Sequence, residues 1–535
     1  MVVVLLLSGL LAYMYWPMGP VKIIISRETT YIDGPLNADG TVNYVEYLNQ
    51  KCSDGVTAEN NAAPLLLRAF GSHVFPAATM GETLRRLDLP ADFLDGDKHF
   101  ITWQARTRQG KPSATMPSQP NQQDQADDDD EDDDGPSLNE VYDMLLAGQA
   151  HPDLENWLTA NAGPLDLIRQ ASAKERYYLP LVTRSKPSSM TEVLVPFWQL
   201  SQSAAQALTT RAALKVTRND VRGAWDDVLA VHRLARLLDQ APTLIEQVAA
   251  IGIEGIATKA GTDLATRGHL PPTGTRELLS KLANLGPVGR VVETIDETER
   301  FQTLDVVMML SRPGGMGAGL IPGSPLTASA DLDWNQMLRD LNAQYDGMVK
   351  PLRLPRFQGR EKAQEAHEKK FEQMEADLKD HPPTGLRMFL LSNGGRPFRR
   401  ARTTVMTNLL ISILVPTLEQ AGLLEDRGKM AHEIETLAVA LACYHAENGR
   451  WPAELKELCP LLLKTIPTDR FSGKPLVYRV SKDGYLLYSI GKNMRDDDGQ
   501  WEPRDNGVSS ADRTDDIVAK VGLAGAASRP ATSQP

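Results

Sequence analysis

Residues 430–452 read MAHEIETLAVALACYHAENGRWP, and their pattern decides how the C-terminal region folds. The Asn-Gly pair at 448–449 is typical of a left-handed helix end. We therefore expect one amphipathic helix that ends near residue 448. Its apolar residues recur at the three-and-four spacing of one buried helix face: Ile434, Leu437, Ala438, Leu441 and Ala442.

Strand-like runs follow this helix. Pro452 can open a short helix through Leu455 and Leu458. The runs LVYRV (476–480) and YLLYSI (485–490) are then separated by Asp483-Gly484, a turn sequence. The sequence therefore predicts a helix packed on a small antiparallel sheet.

The overall charge argues against nucleic acid as a partner. The 535 residues carry a net charge of −12, and eight acidic residues stand in one run at 127–134. No basic stripe is available to replace the counterions of a phosphate backbone. The three cysteines are too few for a disulfide framework and have no metal-binding spacing.

The N-terminus is an almost unbroken apolar run, Met1 to Trp16, with aromatic residues at its end. We expect a membrane anchor over residues 1–17, although a cleaved signal peptide is the alternative. The apolar stretch at 405–424 is predicted to be a partly buried amphipathic helix, because Glu419 and Gln420 would be unfavourable in lipid. A second membrane segment is its alternative.

The rest of the chain divides by composition. We expect a mixed α/β region at 21–108, starting with a strand at 21–25, a disordered acidic linker at 109–137, and a helical region at 138–400. A loose tail is expected at 519–535. Within the helical region, residues 200–216 and 221–238 predict a packed helical pair, which is similar to a tetratricopeptide-type hairpin. The fold class predicted for the whole chain is α+β and mostly helical.

Enzymatic motifs are not evident in the sequence. No Gly-x-Ser-x-Gly occurs, and the His-Glu pairs at 367–368 and 432–433 lack the second histidine of a zinc hydrolase. His232 and His445 are interpreted as boundary residues of helices rather than as ligands. The glycine-rich loop at 313–323 lacks the Lys and Ser/Thr of a phosphate-binding loop and follows an apparent helix, so nucleotide binding is not expected.

An acidic loop at 496–516 is the one candidate for a bound ion. Calcium prefers six to eight oxygen ligands held by a turn-rich loop. A solvated loop without an ion is the alternative interpretation. Carboxylates that could supply such oxygens are Asp496, Asp497, Asp498, Asp505, Asp512, Asp515 and Asp516.

The chain from Thr404 onward resembles the major pseudopilin of bacterial type II secretion systems. The resemblance covers about a fifth of the chain, and its helix is internal here rather than N-terminal, so polymerisation into a pseudopilus is not expected. Asn493 and Thr514 stand where that family tends to carry aspartate. The matching strings are LVP (414–416), ALACYHAENGRWP (440–452), IPTDRFSGKP (466–475), YSIG (488–491) and DDI (515–517).

The resemblance implies a pseudopilin-like domain at 404–518 and a calcium ion held by Asp498, Asp515 and Asp516. It also implies a bacterial inner-membrane protein with a single span and an extracytoplasmic body. We expect a scaffold or interaction protein without enzymatic activity. It would bind the membrane through its N-terminal helix, and it would also bind a protein partner. A peptide-binding helical adaptor and an enzyme with a site assembled from dispersed residues are the alternatives.

Overall fold

The structure is a computed structural model that describes most of the chain between residues 21 and 522. The predicted membrane segment, most of the acidic linker, the glycine-rich loop and most of the stretch 361–395 lie outside the described residues. The described ranges are 21–72, 75–108, 135–271, 273–312, 332–360, 396–414, 418–500 and 515–522, with a few single positions between 362 and 376.

The described residues form many helices and one small sheet, which confirms the predicted mostly helical α+β class. The helix Val291–Thr294 continues through a π-helical turn (Ile295–Glu299) into the helix Arg300–Ser311. The helices are α1 (Tyr44–Ser53), α2 (Ala63–Phe70), α3 (Ala77–Arg86), α4 (Trp103–Arg108), α5 (Leu138–Leu146), α6 (Leu154–Ala160), α7 (Ala162–Ser172), α8 (Trp198–Thr217), α9 (Val221–Leu238), α10 (Leu244–Thr266), α11 (Thr275–Ala283), α12 (Val291–Thr294), α13 (Arg300–Ser311), α14 (Trp334–Leu352), α15 (Arg396–Leu414) and α16 (Leu418–Asn448).

The sheet has three antiparallel strands in the order β1-β2-β3: β1 (Val477–Val480), β2 (Tyr485–Ser489) and β3 (Ile517–Val521). The first two strands are the predicted hairpin. The third was not predicted, and it extends into the segment that the sequence assigned to a loose tail. Tyr485 and Leu487 in the central strand are fully buried, because β2 faces the core beside α16.

The predicted helical pair is present as α8 and α9. Asn219 takes the left-handed conformation (φ 63°) and ends the first helix. The Asp220 side chain then caps the second, accepting a hydrogen bond from the Gly223 N–H at 3.0 Å. The helix α10 packs on both members of the pair, and α16 packs along α10.

The C-terminal helix α16 is buried more widely than its predicted stripe. Its five stripe residues are at most 7% exposed, and it ends at Asn448 as expected. Val439, Ala440 and Cys443 are buried as well, because α10 and the sheet cover different sides of the helix. Most of the buried apolar residues form one cluster that extends from Val42 to Ala519.

The strand predicted at 21–25 is wrong. Its backbone docks on a side chain of α14 instead of on a neighbouring strand: the Ile24 N–H donates to Asn335 Oδ1 at 2.8 Å, and Asn335 Nδ2 donates to the Lys22 carbonyl at 3.0 Å. Among the described residues of 21–108, regular structure is helical apart from isolated bridges such as Leu36 with Val42.

Within the described residues, each helix falls short of the length or the apolar character that a bilayer-spanning segment needs. The apolar stretch at 405–424 is shared between α15 and α16, whose described parts lie within the protein core.

Candidate functional site

Ionisable side chains from three helices meet in the core where α9, α10 and α16 come together. They are His232 from α9, Glu254 from α10, and His432 and Glu435 from α16. His232, Glu254 and Glu435 are 0%, 2% and 0% exposed, and the His432 side chain is 13% exposed. We call these four residues the His-Glu cluster. Buried charges at this depth are expected only where they are paired.

His232 bridges the two carboxylates. Its Nδ1 lies 2.9 Å from Glu254 Oε2, and its Nε2 lies 3.1 Å from Glu435 Oε1. Burial lowers the pKa of His232, but the charges of Glu254 and Glu435 outweigh it and raise the pKa to about 9. With no metal bound, both ring nitrogens therefore carry protons and donate to the carboxylates.

Glu254 is held in place by a second cation. Arg236 lies one turn after His232 on α9, and its Nη1 and Nη2 donate to the two oxygens of Glu254 at 2.8 and 3.0 Å. Burial raises the pKa of Glu254, but His232, His432 and Arg236 hold it well below its usual value. Glu254 is therefore a fixed, ionised carboxylate.

His432 and Glu435 complete the cluster from one face of α16. His432 Nδ1 lies 3.1 Å from Glu254 Oε1 and 3.6 Å from Glu435 Oε2. Both approaches are ion pairs without hydrogen-bond geometry, so His432 Nδ1 and Glu435 Oε2 are buried atoms that lack a hydrogen bond. Buried polar atoms without a hydrogen bond are uncommon in protein interiors and call for a physical explanation.

Three donors of the cluster are close enough to share one ion. Within the described part of the chain, His232, His432 and Glu435 are the one group of three histidine, cysteine or carboxylate residues whose donor atoms all lie within 4.8 Å of one another. The cluster can therefore hold either a proton, as an imidazolium between carboxylates, or a metal ion.

A cavity of about 600 Å³ adjoins the cluster and is lined in part by Glu254 and His432. Its wall also contains an ion pair in which Arg470 Nη2 lies 2.6 Å from Glu433 Oε1. Lys429, which pairs with Glu425, lines it as well. The cavity therefore brings cations and carboxylates to the exposed side of His432.

The three aspartates predicted to bind calcium have different partners in the structure. Asp498 is exposed and pairs with Arg479 Nη1 at 2.8 Å. Asp515 accepts from the Lys492 N–H at 3.1 Å, and Asp516 accepts from the Gly499 N–H at 2.8 Å. Asp515 and Asp516 thus lie against the loop 491–499, whereas the Asp498 side chain is engaged elsewhere.

Asp516 is the aspartate that best fits a cation. It is 1% exposed, and its Oδ1 has no hydrogen-bond partner. Burial, together with the nearby Asp497, Asp496 and Asp515, raises its pKa to about 7. Asp505 and Asp512 lie outside the described residues. The donor set therefore fits calcium in part, and the calcium site stays a prediction.

The sequence interpretation missed the His-Glu cluster. His232 and Glu435 are 203 positions apart, and no histidine has the spacing of a known ligand motif. One sign was present in the sequence. Glu435 and His432 interrupt the most apolar part of α16, and ionisable residues inside such a segment need partners.

A long apolar groove lies on another side of α10 and α16. Its volume is about 1190 Å³, and the start of β3 closes one part of it. Ile245 and Val248 on its rim are 54% and 36% exposed, although both are large and apolar. Gly252 and Gly255 line it, and a β-carbon at Gly255 would meet no atom within 4 Å. The groove is therefore apolar, open and free of side chains at this point.

Comparisons with protein-family models, with curated proteins and with solved structures gave no match.

Proposed function

We propose that the protein is a membrane-anchored, extracytoplasmic bacterial scaffold without enzymatic activity, which binds an amphipathic helix of a partner protein in the groove between α10 and α16. The observation that carries the proposal is the exposure of Ile245 and Val248 along an apolar groove. Large exposed apolar surfaces commonly mark interaction sites. The membrane anchor and the inner-membrane location rest on the apolar N-terminal sequence and on the resemblance to pseudopilins.

The groove favours a helix as its occupant. The helices α10 and α16 form most of its walls, and Gly252 and Gly255 lie along α10. Residues without side chains let a third helix approach closely, and helix-in-groove binding places apolar residues of the ligand three and four positions apart. Lys259 and Asp263 at the border carry opposite charges, which suits a ligand with a polar outer face.

Site-specific photo-cross-linking tests this proposal. A photoreactive residue is placed at Val248 in the full-length protein, in cells that make it, and a matched one is placed at Leu194, which is 47% exposed and lies outside the groove. We expect position 248, but not 194, to cross-link to a partner whose linked peptide is an amphipathic helix. Ile245→Glu should reduce this product, and a synthetic peptide of that segment should bind the purified protein.

Equal cross-linking at both positions would contradict the proposal. So would products at position 248 that contain only lipid or a second copy of this chain, because each of those results assigns the groove to another occupant.

One observation favours a second candidate function, that of an enzyme. The cavity beside the His-Glu cluster brings Glu254, His432 and Glu433 together with Lys429 and Arg470. Such a mixture of acids, bases and cations could bind and activate an anionic substrate. A screen with chromogenic ester and phosphate-ester substrates tests it: turnover by the wild type that Glu433→Gln abolishes would support an enzyme, and lack of turnover would leave the scaffold as the better account.

A further inference from the structure

We propose that His232, His432 and Glu435 form a binding site for a divalent transition-metal ion of the zinc class at the junction of α9, α10 and α16. The site is separate from the groove and from the acidic C-terminal loop. It would join the helical middle of the chain to α16 through one ion.

The separations between donor atoms fit such an ion. Zinc in a tetrahedral site lies about 2.0–2.1 Å from nitrogen and oxygen ligands, so neighbouring donors are roughly 3.3 Å apart. Here His232 Nε2 is 3.1 Å from Glu435 Oε1, and His432 Nδ1 is 3.6 Å from Glu435 Oε2. All three donors lie within 4.8 Å of one another. Small side-chain movements would place one ion between them.

The unpaired atoms of the cluster point to the same conclusion. Glu435 is fully buried, yet its Oε2 has no hydrogen-bond partner, and neither has His432 Nδ1. Both atoms lie in ion pairs at 3.1 and 3.6 Å, but a buried polar atom without a hydrogen bond still carries a free-energy cost. A bound cation would use the lone pairs of both atoms and remove this cost.

The surroundings of His232 resemble those of a metal-ligating histidine. Such residues usually donate the other ring N–H to a carboxylate, which fixes the ring and its tautomer. His232 Nδ1 lies 2.9 Å from Glu254, and Arg236 in turn fixes Glu254. When the ion binds, the proton on His232 Nε2 and any proton on His432 Nδ1 are released to solvent, so that both lone pairs face the metal.

The donor types select the kind of metal. Imidazole nitrogen with one carboxylate suits zinc, cobalt, nickel or iron, whereas calcium and magnesium prefer oxygen alone. Three protein ligands leave a fourth position, which water can reach from the cavity beside His432.

Metal titration of the untagged full-length protein tests the proposal. After removal of metal with a chelator, Zn²⁺ is titrated against a chromophoric competitor, and Co²⁺ is added separately to record its visible absorption. We expect one tight site per chain, an intense tetrahedral Co²⁺ spectrum, and a higher Tm with Zn²⁺. His432→Ala and Glu435→Gln should each weaken binding by about 100-fold or more, since changes even outside the ligand set cost 10–100-fold.

His151→Ala is the matched control, because His151 packs on Trp103 and is not a member of the cluster, and it should bind Zn²⁺ like the wild type. If the ligand variants do not fold, X-ray absorption of the zinc-loaded wild type decides, and it should show two imidazoles. Weak or non-stoichiometric binding, binding unchanged in Glu435→Gln, or a spectrum without imidazole ligands would overturn the proposal.

Discussion

A β-carbon at position 261 would stand 1.7 Å from Oε1 of Glu435, so the bare backbone of Gly261 on α10 leaves the space that this carboxylate fills. The carboxylate belongs to a flexible side chain, but it is fully buried and bound to His232 at 3.1 Å. It cannot withdraw from a new methyl group without leaving its histidine.

We therefore expect Gly261→Ala to destabilise the protein by about 1–3 kcal/mol, the range for an unsatisfied buried polar group. The effect should appear in equilibrium unfolding by urea. Gly255→Ala on the same helix is the control, because its new methyl group meets no atom within 4 Å. Alanine in a helix is favoured over glycine by about 0.5–1 kcal/mol, so the control should be slightly more stable than the wild type. Equal stability of the two variants would refute the packing argument.

Asp227 should be essential to the α8–α9 pair. It is fully buried, and it binds Arg211 at 2.7 and 2.9 Å and Lys215 at 2.7 Å. Asp227→Asn keeps the shape but removes the charge that two cations share. We expect a loss of about 2–4 kcal/mol of unfolding free energy, somewhat below that of a wholly buried pair because both cations reach water. The adjacent, exposed Asp226 provides the control, and Asp226→Asn should change stability by no more than about 0.5 kcal/mol. A comparable loss in both variants would show that Asp227 has no special role.

The buried Glu246 should make the free energy of unfolding depend on pH. It is 5% exposed at the start of α10, and burial raises its pKa to about 7 in spite of the hydrogen bond from Thr243 Oγ1 at 2.7 Å. An unfolded glutamate has a pKa of about 4.3. The folded state therefore binds a proton that the unfolded state has released between these two values. The free energy of unfolding therefore decreases as the pH rises from about 4.3 to 7. Above pH 7 the whole of this destabilisation by Glu246 is present.

The stability change caused by Glu246→Gln should accordingly be more favourable at pH 8 than at pH 4, by up to about 4 kcal/mol. Urea denaturation at a series of pH values measures the difference. The exposed Glu293 supplies a control, since Glu293→Gln should show no such trend. A pH-independent effect of Glu246→Gln would mean that this carboxyl group does not carry a proton in the folded state.

The calcium prediction is tested on the full-length chain by calorimetric titration with millimolar Ca²⁺. If calcium binds the C-terminal loop, Asp515→Asn and Asp516→Asn should abolish the heat, because both carboxylates face the loop 491–499. Asp498→Asn should weaken binding less, since Arg479 already holds that side chain. The exposed Asp483 of the hairpin turn is the control. No heat and no thermal shift with the wild type would remove calcium from the account.

Local sequence patterns predicted the elements that depend on regular apolar spacing or on turn residues close together in sequence. The periodicity of α16 and the alternation and turn of β1 and β2 are visible within a few residues. The strand β3 was missed because Ile517–Val521 is short and follows an acidic stretch that suggests a loop. The apolar run at 21–25 suggested a strand, but the sequence does not show that Asn335 supplies its hydrogen bonds.

The His-Glu cluster depends on tertiary structure alone. His232 lies among buried apolar residues of α9, and its position there gives no indication of a partner more than 200 residues away. Only the packing of α16 along α10 brings the carboxylates to both sides of the ring. By contrast, a calcium site was predicted at the aspartates of the C-terminal loop because they are clustered in sequence. In the structure, the Asp498 side chain pairs with Arg479.

The position of α16 limits how the C-terminal region can be transferred to another protein. One helix backs the sheet, lines the groove and supplies His432 and Glu435 to a cluster whose other members lie on α9 and α10. A gene fragment encoding only the C-terminal region would carry two ionisable residues in an apolar surface, with no counterpart in a new host. Successful transfer to another protein would require α9 and α10 to move with it, or replacement of both residues by apolar ones.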